Sequence, residues 1–180
     1  MNYFEHPQYL PAEKCYLTLA DAIFRFRNAF KNMTGISPSD ETLSCLLAQS
    51  ALETEFWKSC WNWNFGNIRI NIDKIQSDEY FTMFVCNEVI NNKIIWYKPG
   101  ETESIFRAFK TPEEGIKQHF YFKIKDRYWK AWEEVLNGNP SNYAHELKIA
   151  GYYTAGEKIY TNGLVGCYQR ILKEVKNGTK

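Results

Sequence analysis

Glu53 is the residue in this sequence best placed to move a proton. It ends a helical pattern and is followed at once by an aromatic and asparagine-rich stretch: Trp57, Trp61, Asn62, Trp63, Asn64 and Phe65. Apolar surroundings raise a carboxyl pKa by disfavouring the charged form. A glutamic acid kept protonated near neutral pH can then serve as a general acid. Flat aromatic faces suit the C–H surface of a pyranose, and amide side chains supply donors and acceptors for hydroxyl and acetamido groups. The chemistry that fits this spacing is acid-assisted cleavage at a sugar. The same residues also fit a surface glutamate at a helix C-terminus, with tryptophans that belong to the core.

Other chemistries find little support. His6, His119 and His145 are isolated, with no H-E-x-x-H, and neither a G-x-S-x-G nor a phosphate-binding glycine loop occurs. No metal and no cofactor is expected. Cys15, Cys45, Cys60, Cys86 and Cys167 are scattered, odd in number and without a C-x-x-C pair, so reduced thiols are expected rather than a disulfide framework or zinc site. Lys and Arg number 22 against 21 Asp and Glu, a net charge of +1, which argues against nucleic acid as a partner. No uncharged apolar run approaches the roughly 20 residues of a spanning helix, so membrane insertion is not expected. Aromatics make up 17% of the 180 residues, too many for a disordered chain.

The elements that must position Glu53 can be read from periodicity. Leu19, Ile23, Phe26, Phe30 and Met33 recur at helical spacing over residues 18–33, with Gly35 as a stop. A second helix is expected to start at Ser37-Pro38, with Asp40 completing a capping-box-like pattern. Along it Leu43, Leu47, Ser50, Ala51 and Thr54 form one stripe, and Leu46, Glu53 and Trp57 line up beside it. Three β-like runs follow at residues 80–89, 93–98 and 104–109, with turns at Asn91-Asn92 and Lys98-Pro99-Gly100. They predict one small antiparallel sheet. Helical rhythm returns at Thr111-Pro112 with Ile116, His119, Phe120 and Lys123, then over residues 128–136 and 141–150, and in a last helix carrying Tyr160, Leu164, Cys167, Ile171 and Val175. The expected class is α+β, mainly α: one domain over residues 1–180, with a β-lobe at about 68–110.

Four segments carry a resemblance. Gln49-Ser50-Ala51-Leu52-Glu53-Thr54-Glu55-Phe56-Trp57-Lys58-Ser59 resembles the Ala-x-Glu-Ser/Thr-Gly-x-Gly-x-Ser segment of peptidoglycan β-N-acetylglucosaminidases of glycoside hydrolase family 73, within the lysozyme-like superfamily. Asn62-Trp63-Asn64-Phe65-Gly66-Asn67-Ile68-Arg69 is similar to that family's Asn-Asn-x-Phe-Gly-Ile-Lys loop, with one residue added. The stretch from Ile105 to Gly115 is similar to its Phe-Arg-x-Tyr-x-Ser-x-x-Glu-Ser segment, and Leu147 to Thr154 to its Leu-x-x-Ala-Gly-Tyr-Ala-Thr. The segments occur in family order over roughly residues 43 to 172. Three departures stand out: Glu55 replaces the glycine after Glu-Ser/Thr, Val89 a frequent tyrosine, and Ala155-Gly156 an Asp-Pro.

The resemblance implies a lysozyme-like helical domain with Glu53 as the catalytic acid. It implies Glu88 as a second carboxylate and Tyr152 as a cleft tyrosine. Trp57, Trp63, Asn64, Phe65, Gly66 and Asn67 form the expected substrate-binding set. Trp57 and Trp61 also fit a core role, whereas Trp63 is flanked by asparagines in a loop. Arg107 fits either a substrate contact or an acidic neighbour, and His119 and His145 fit ordinary helix positions. The implied partner is the peptidoglycan glycan strand, cut by an endo-β-N-acetylglucosaminidase acting as a monomer. Alternatives are a muramidase or lytic transglycosylase of the same superfamily, and a non-catalytic glycan-binding or virion module. No Sec-type leader is visible at the N-terminus, so synthesis in the cytoplasm is expected, with action in the periplasm or at the wall after holin- or secretion-dependent release, as for a phage endolysin.

Overall fold

The computed structural model describes residues 3–90, 93–124 and 126–178. Ten main elements follow in the order α1 (Leu19–Thr34), α2 (Asp40–Glu53), β1 (Tyr80–Met83), β2 (Cys86–Ile90), β3 (Lys93–Tyr97), β4 (Ile105–Ala108), α3 (Pro112–Ile124), α4 (Trp129–Leu136), α5 (Pro140–Ile149) and α6 (Glu157–Gly178). This is the mainly helical α+β arrangement expected from the sequence. No described helix is long and apolar enough to cross a membrane.

Helix α1 starts where the Thr18 hydroxyl accepts from the Asp21 amide at 3.1 Å. It stops at Gly35, whose φ of 79° lets its N–H turn back to the Lys31 carbonyl. Its fully buried positions are Ala22, Phe26 and Phe30, while Leu19, Ile23 and Met33 of the expected stripe pack partly buried against the core. Helix α2 begins two residues later than Ser37-Pro38 led us to expect. Ser39 is the cap, in extended conformation, and accepts from the Thr42 amide at 3.0 Å. Pro38 therefore precedes the helix.

A single buried stripe was expected on α2, but every residue from Thr42 to Ala51 is buried. The helix runs through the middle of the molecule, with α6 packed along it. Its small polar residues tolerate this because they bond within the core: Ser44 donates to the Asp40 carbonyl at 2.6 Å and Thr42 to the Leu136 carbonyl at 3.1 Å. Burial on all sides makes α2 a rigid mount for the residue at its end.

That end is sharply made. The Thr54 hydroxyl donates to the Ser50 carbonyl at 2.7 Å and accepts from the Trp57 amide at 3.1 Å. Glu55, Phe56 and Trp57 then take φ of 51°, 55° and 63°, so the chain reverses. Trp57 consequently does not continue the Leu46–Glu53 line.

The β-lobe is two sheets rather than one. β1 pairs antiparallel with β4, Tyr80 opposite Ala108, and β2 with β3, Cys86 opposite Tyr97. The run expected as one strand breaks at Phe84-Val85, because the Phe84 ring turns aside to stack on Phe106 and Trp61, at 4.6 and 5.2 Å between centroids. Beneath β1 and β4 lies a small core of Ile70, Phe81, Met83 and Ile105. The β2–β3 hairpin shares no strand with it, and Lys93 to Trp96 are exposed. The Asn91-Asn92 turn falls outside the described residues. Gly100, at φ 98°, serves the Lys98-Pro99-Gly100 turn, where the Glu101 amide meets the Lys98 carbonyl at 3.1 Å.

Helix α3 starts on Thr111, as its cap-proline-acid pattern predicts, with the Glu114 amide 3.2 Å from the hydroxyl. Gly115 lets it press on the loop after α2: a Cβ there would lie 2.0 Å from the Trp63 carbonyl oxygen. Helices α4 and α5 close the far side, and α6 buries Leu164, Ile171 and Val175.

Candidate active site

An open cleft of about 870 Å³ has Glu53 in its lining. The loop after α2 contributes Trp61, Gly66, Asn67 and Arg69, and the β-lobe contributes Phe84, Glu88 and Phe106. Tyr128, Tyr152, Tyr153 and Tyr160 complete it from the helical side.

Glu53 is held by α2 and α6 together. Its Oε1 accepts from the Tyr160 hydroxyl at 2.8 Å and from Gln49 Nε2 at 3.4 Å. Asn67 Nδ2 donates to its backbone carbonyl, tying the loop to the helix end. Gln49 Nε2 also donates to the Tyr152 hydroxyl at 2.6 Å, which in turn donates to the Gly66 carbonyl at 3.1 Å. Burial pushes the Glu53 carboxyl above its usual range, opposed by the Tyr160 hydroxyl, the Lys123 charge and Gln49. An acid so placed holds its proton to a higher pH than a free glutamate. Tyr160→Phe removes a hydrogen bond that favours the ionised form. The alkaline limb of the pH–rate profile is therefore expected to move to higher pH in that variant, which a kcat/KM profile measures. An unmoved or lowered limb would contradict the arrangement.

Behind this acid lies a pair that sequence patterns did not single out. Lys123 is fully buried, with Nζ 3.2 and 3.4 Å from the two ring nitrogens of His119, itself 1% exposed. Burial lowers the Lys123 pKa to about 7, and Glu53 counters the shift. Burial, then the Lys123 charge, hold His119 well below its usual pKa, so its imidazole is neutral. Lys123 Nζ also stands 5.8 Å from the Tyr152 ring centroid. The visible signal was a lysine inside the apolar stripe of Ile116, His119 and Phe120, where solvent has no access. Tyr160 and Gln49 were equally unmarked, since a core tyrosine and a core glutamine carry no distinguishing spacing.

Glu88 faces the same cleft from β2, with Oε1 2.6 Å from Arg69 Nη2. Arg69 lies over the Phe106 ring at 5.6 Å. Tyr152, Gly66 and Asn67 also line the cleft. Four residues of the expected substrate-binding set do not. Trp57 is 2% exposed and donates through Nε1 to the Ser50 hydroxyl at 3.0 Å. Phe65 packs edge-on to Phe26 at 5.4 Å, inside the core. Asn64 is buried, bonding the Ile68 and Arg107 carbonyls and the Ile68 amide, so its amide shapes the loop. Trp63 packs against the helical core, its amide 3.0 Å from the Cys15 sulfur. Left-handed backbone at Asn62 and Trp63, φ 46° and 56°, turns this stretch inward. Trp61, given a core role by its type, lines the cleft instead. Arg107 pairs with Glu79, the acidic neighbour that was one of its two readings. His145 is exposed and meets Glu157 at 2.7 Å.

A family model, Glucosaminidase, described as mannosyl-glycoprotein endo-beta-N-acetylglucosaminidase, matches residues 33–173. The chain belongs to the glucosaminidase family. It is a glycoside hydrolase of that family, and the matched span runs from the end of α1 into α6. Among solved structures it is similar to a C-terminally truncated glycoside hydrolase domain of Salmonella typhimurium FlgJ, with 18% identity and a TM-score of 0.53. That likeness, over 85% of this chain and 94% of the other, shows a shared fold. No curated protein matches the sequence.

Proposed function

We propose that this glycoside hydrolase cuts the β-1,4-linked glycan strand of peptidoglycan as an endo-β-N-acetylglucosaminidase, with Glu53 as general acid. The observation that carries the reading is Glu53 itself. It is a carboxyl raised towards its protonated form by burial, fixed by Tyr160, and open to a cleft large enough for sugar rings. Glu53 gives its proton to the glycosidic oxygen as the C–O bond breaks and the ring gains oxocarbenium character. The Tyr160 hydroxyl then stabilises the carboxylate left behind. Trp61, Phe84 and Phe106, stacked in a row, form the apolar wall beside the sugar. Asn67 and the Gly66 backbone form the polar edge beside Glu53.

The opposing role falls to Glu88, activating water or stabilising charge, or to the substrate's own acetamido group with Tyr152 beside it. Glu88→Gln separates them. If Glu88 acts, turnover falls by about 10²-fold or more, on the scale of lost general base catalysis. If the acetamido group acts, turnover stays within a few-fold of wild type. The bond cleaved is read by mass spectrometry of borohydride-reduced digests of purified peptidoglycan. Reducing-end N-acetylglucosamine is the expected product. Reducing-end N-acetylmuramic acid would make the enzyme a muramidase, and an anhydro product a lytic transglycosylase.

A further inference from the structure

Two of the five cysteines meet across a short backbone pairing. Lys14 and Trp61 form an antiparallel bridge, flanked by the Cys15 amide on the Cys60 carbonyl at 2.9 Å and the Asn62 amide on the Glu13 carbonyl at 2.8 Å. This register sets Cys15 directly opposite Cys60, joined by one backbone hydrogen bond. Cα atoms in such pairs lie about 5.5 Å apart, inside the range of about 4.4–6.8 Å that a disulfide spans. Directly opposed residues of an antiparallel pairing project to the same face, so the two side chains share one side of the bridge. Cys15 is 4% exposed and Cys60 fully buried, so the two sulfurs compete with no solvent. Cys45 sits in α2, Cys86 in β2 and Cys167 in α6, all free thiols like this pair.

We propose that Cys15 and Cys60 are a disulfide-forming pair, oxidised by a low-molecular-weight or protein disulfide, that staples the N-terminal segment to the loop carrying Trp61 into the cleft. Cys15 is the attacking sulfur. The neighbouring Cys60 thiol, with the Trp63 amide 3.0 Å from the sulfur, favours its thiolate, whereas Cys60 is pushed the other way. The Cys15 thiolate attacks one sulfur of the oxidant, forming a mixed disulfide and expelling one thiolate. Cys60 loses its proton and attacks the Cys15 sulfur, expelling the second. Two cysteine thiols and one disulfide become one Cys15–Cys60 bond and two thiols.

Access comes with local opening. Around the pair the segment is held by the two backbone bonds above, by Asn62, which accepts from the Glu13 amide and donates to the Pro11 carbonyl, and by the Trp63 amide on the Cys15 sulfur, with both cysteines at the edge of the helical core. A bridge of irregular backbone outside the helices opens locally at lower free energy than the core helices do. Once formed, the bond closes a loop containing the whole of α1 and α2, and it adjoins Trp61, the next residue in the chain. Oxidation thus tightens one wall of the cleft without touching Glu53.

The test uses the full chain in glutathione disulfide buffers of graded poise, both native and refolded from denaturant. The expected result is an intact mass lower by two hydrogens and a peptide joining residues 15 and 60. The melting midpoint should rise by roughly 5–15 °C over the reduced protein, as a bond closing a loop of this size allows. Cys15→Ser and Cys60→Ala should each abolish the link and the shift. Glutathione adducts without a 15–60 bond would overturn the proposal. So would a link to Cys45, Cys86 or Cys167, unreacted thiols in both preparations, or a bond that leaves the midpoint unchanged or lower. Because the readouts are on wild type, a variant that fails to fold does not blur the answer.

Discussion

Glu53→Gln is expected to lower turnover on purified peptidoglycan by about 10²–10⁴-fold, the scale of a lost general acid. Glutamine keeps the shape and still accepts from the Tyr160 hydroxyl, but has no proton to give. Stability should not fall with activity. The folded pKa of Glu53 is raised above its unfolded value, so its stabilising share is full below that value and is lost as pH rises through the folded pKa. A neutral glutamine escapes that loss. The variant should therefore melt at or above wild type at neutral pH, with a margin that widens as pH rises. Turbidity clearing beside a thermal melt checks both. Near-normal lysis by Glu53→Gln would remove the acid from the mechanism.

Lys123→Met has the largest expected effect on stability. The lysine is fully buried, and its pKa falls from the usual 10.5 to about 7 in the fold. A depressed lysine pKa contributes stability above the unfolded value, lost as pH drops through the folded one. At 1.36 kcal/mol per unit, holding the charge inside costs up to about 5 kcal/mol below pH 7 and nothing above about pH 10.5. Methionine fills similar space without the charge. The variant should gain most at pH 6 and lose its advantage as pH approaches 10, as denaturant midpoints at several pH values would show. Removing the cation also removes a favourable field on ionised Glu53, so the alkaline limb of activity should move up. If Lys123→Met were destabilised equally at all pH values, packing rather than charge would explain the lysine.

Both predictions rest on side chains the sequence marks unequally. Glu53 was legible because a carboxylate at the end of a patterned helix, before an aromatic run, is unusual, and ordered segments tied it to a family. Helices α1, α3, α4, α5 and α6 were legible because their apolar stripes and caps act locally: Thr18, Thr111, Gly35, Gly138 and Gly151 do what their types predict. Burial of α2 on all sides was not, since it follows from where α6 packs and leaves the periodicity unchanged. The cleft set was misplaced for one backbone reason. Residues 55–57 and 62–63 are left-handed, so side chains that spacing would spread along one wall turn into the core at Trp57, Trp63 and Phe65. Trp61, sitting between those reversals, reaches the cleft. The split of the β-lobe was hidden too, because the ring that breaks the strand, Phe84, is itself a good strand former.

Glu55 stands where the family resemblance has glycine, and it keeps the backbone that glycine would take, φ 51°. A left-handed non-glycine residue costs roughly 1–2 kcal/mol. Glycine would relieve that, while its freer unfolded chain takes back up to about 1 kcal/mol. Glu55→Gly should thus raise the urea midpoint by a margin worth no more than about 1 kcal/mol. For an engineer, the segment after the acid is a reserve: its left-handed backbone at Glu55 is a site where one substitution gains stability.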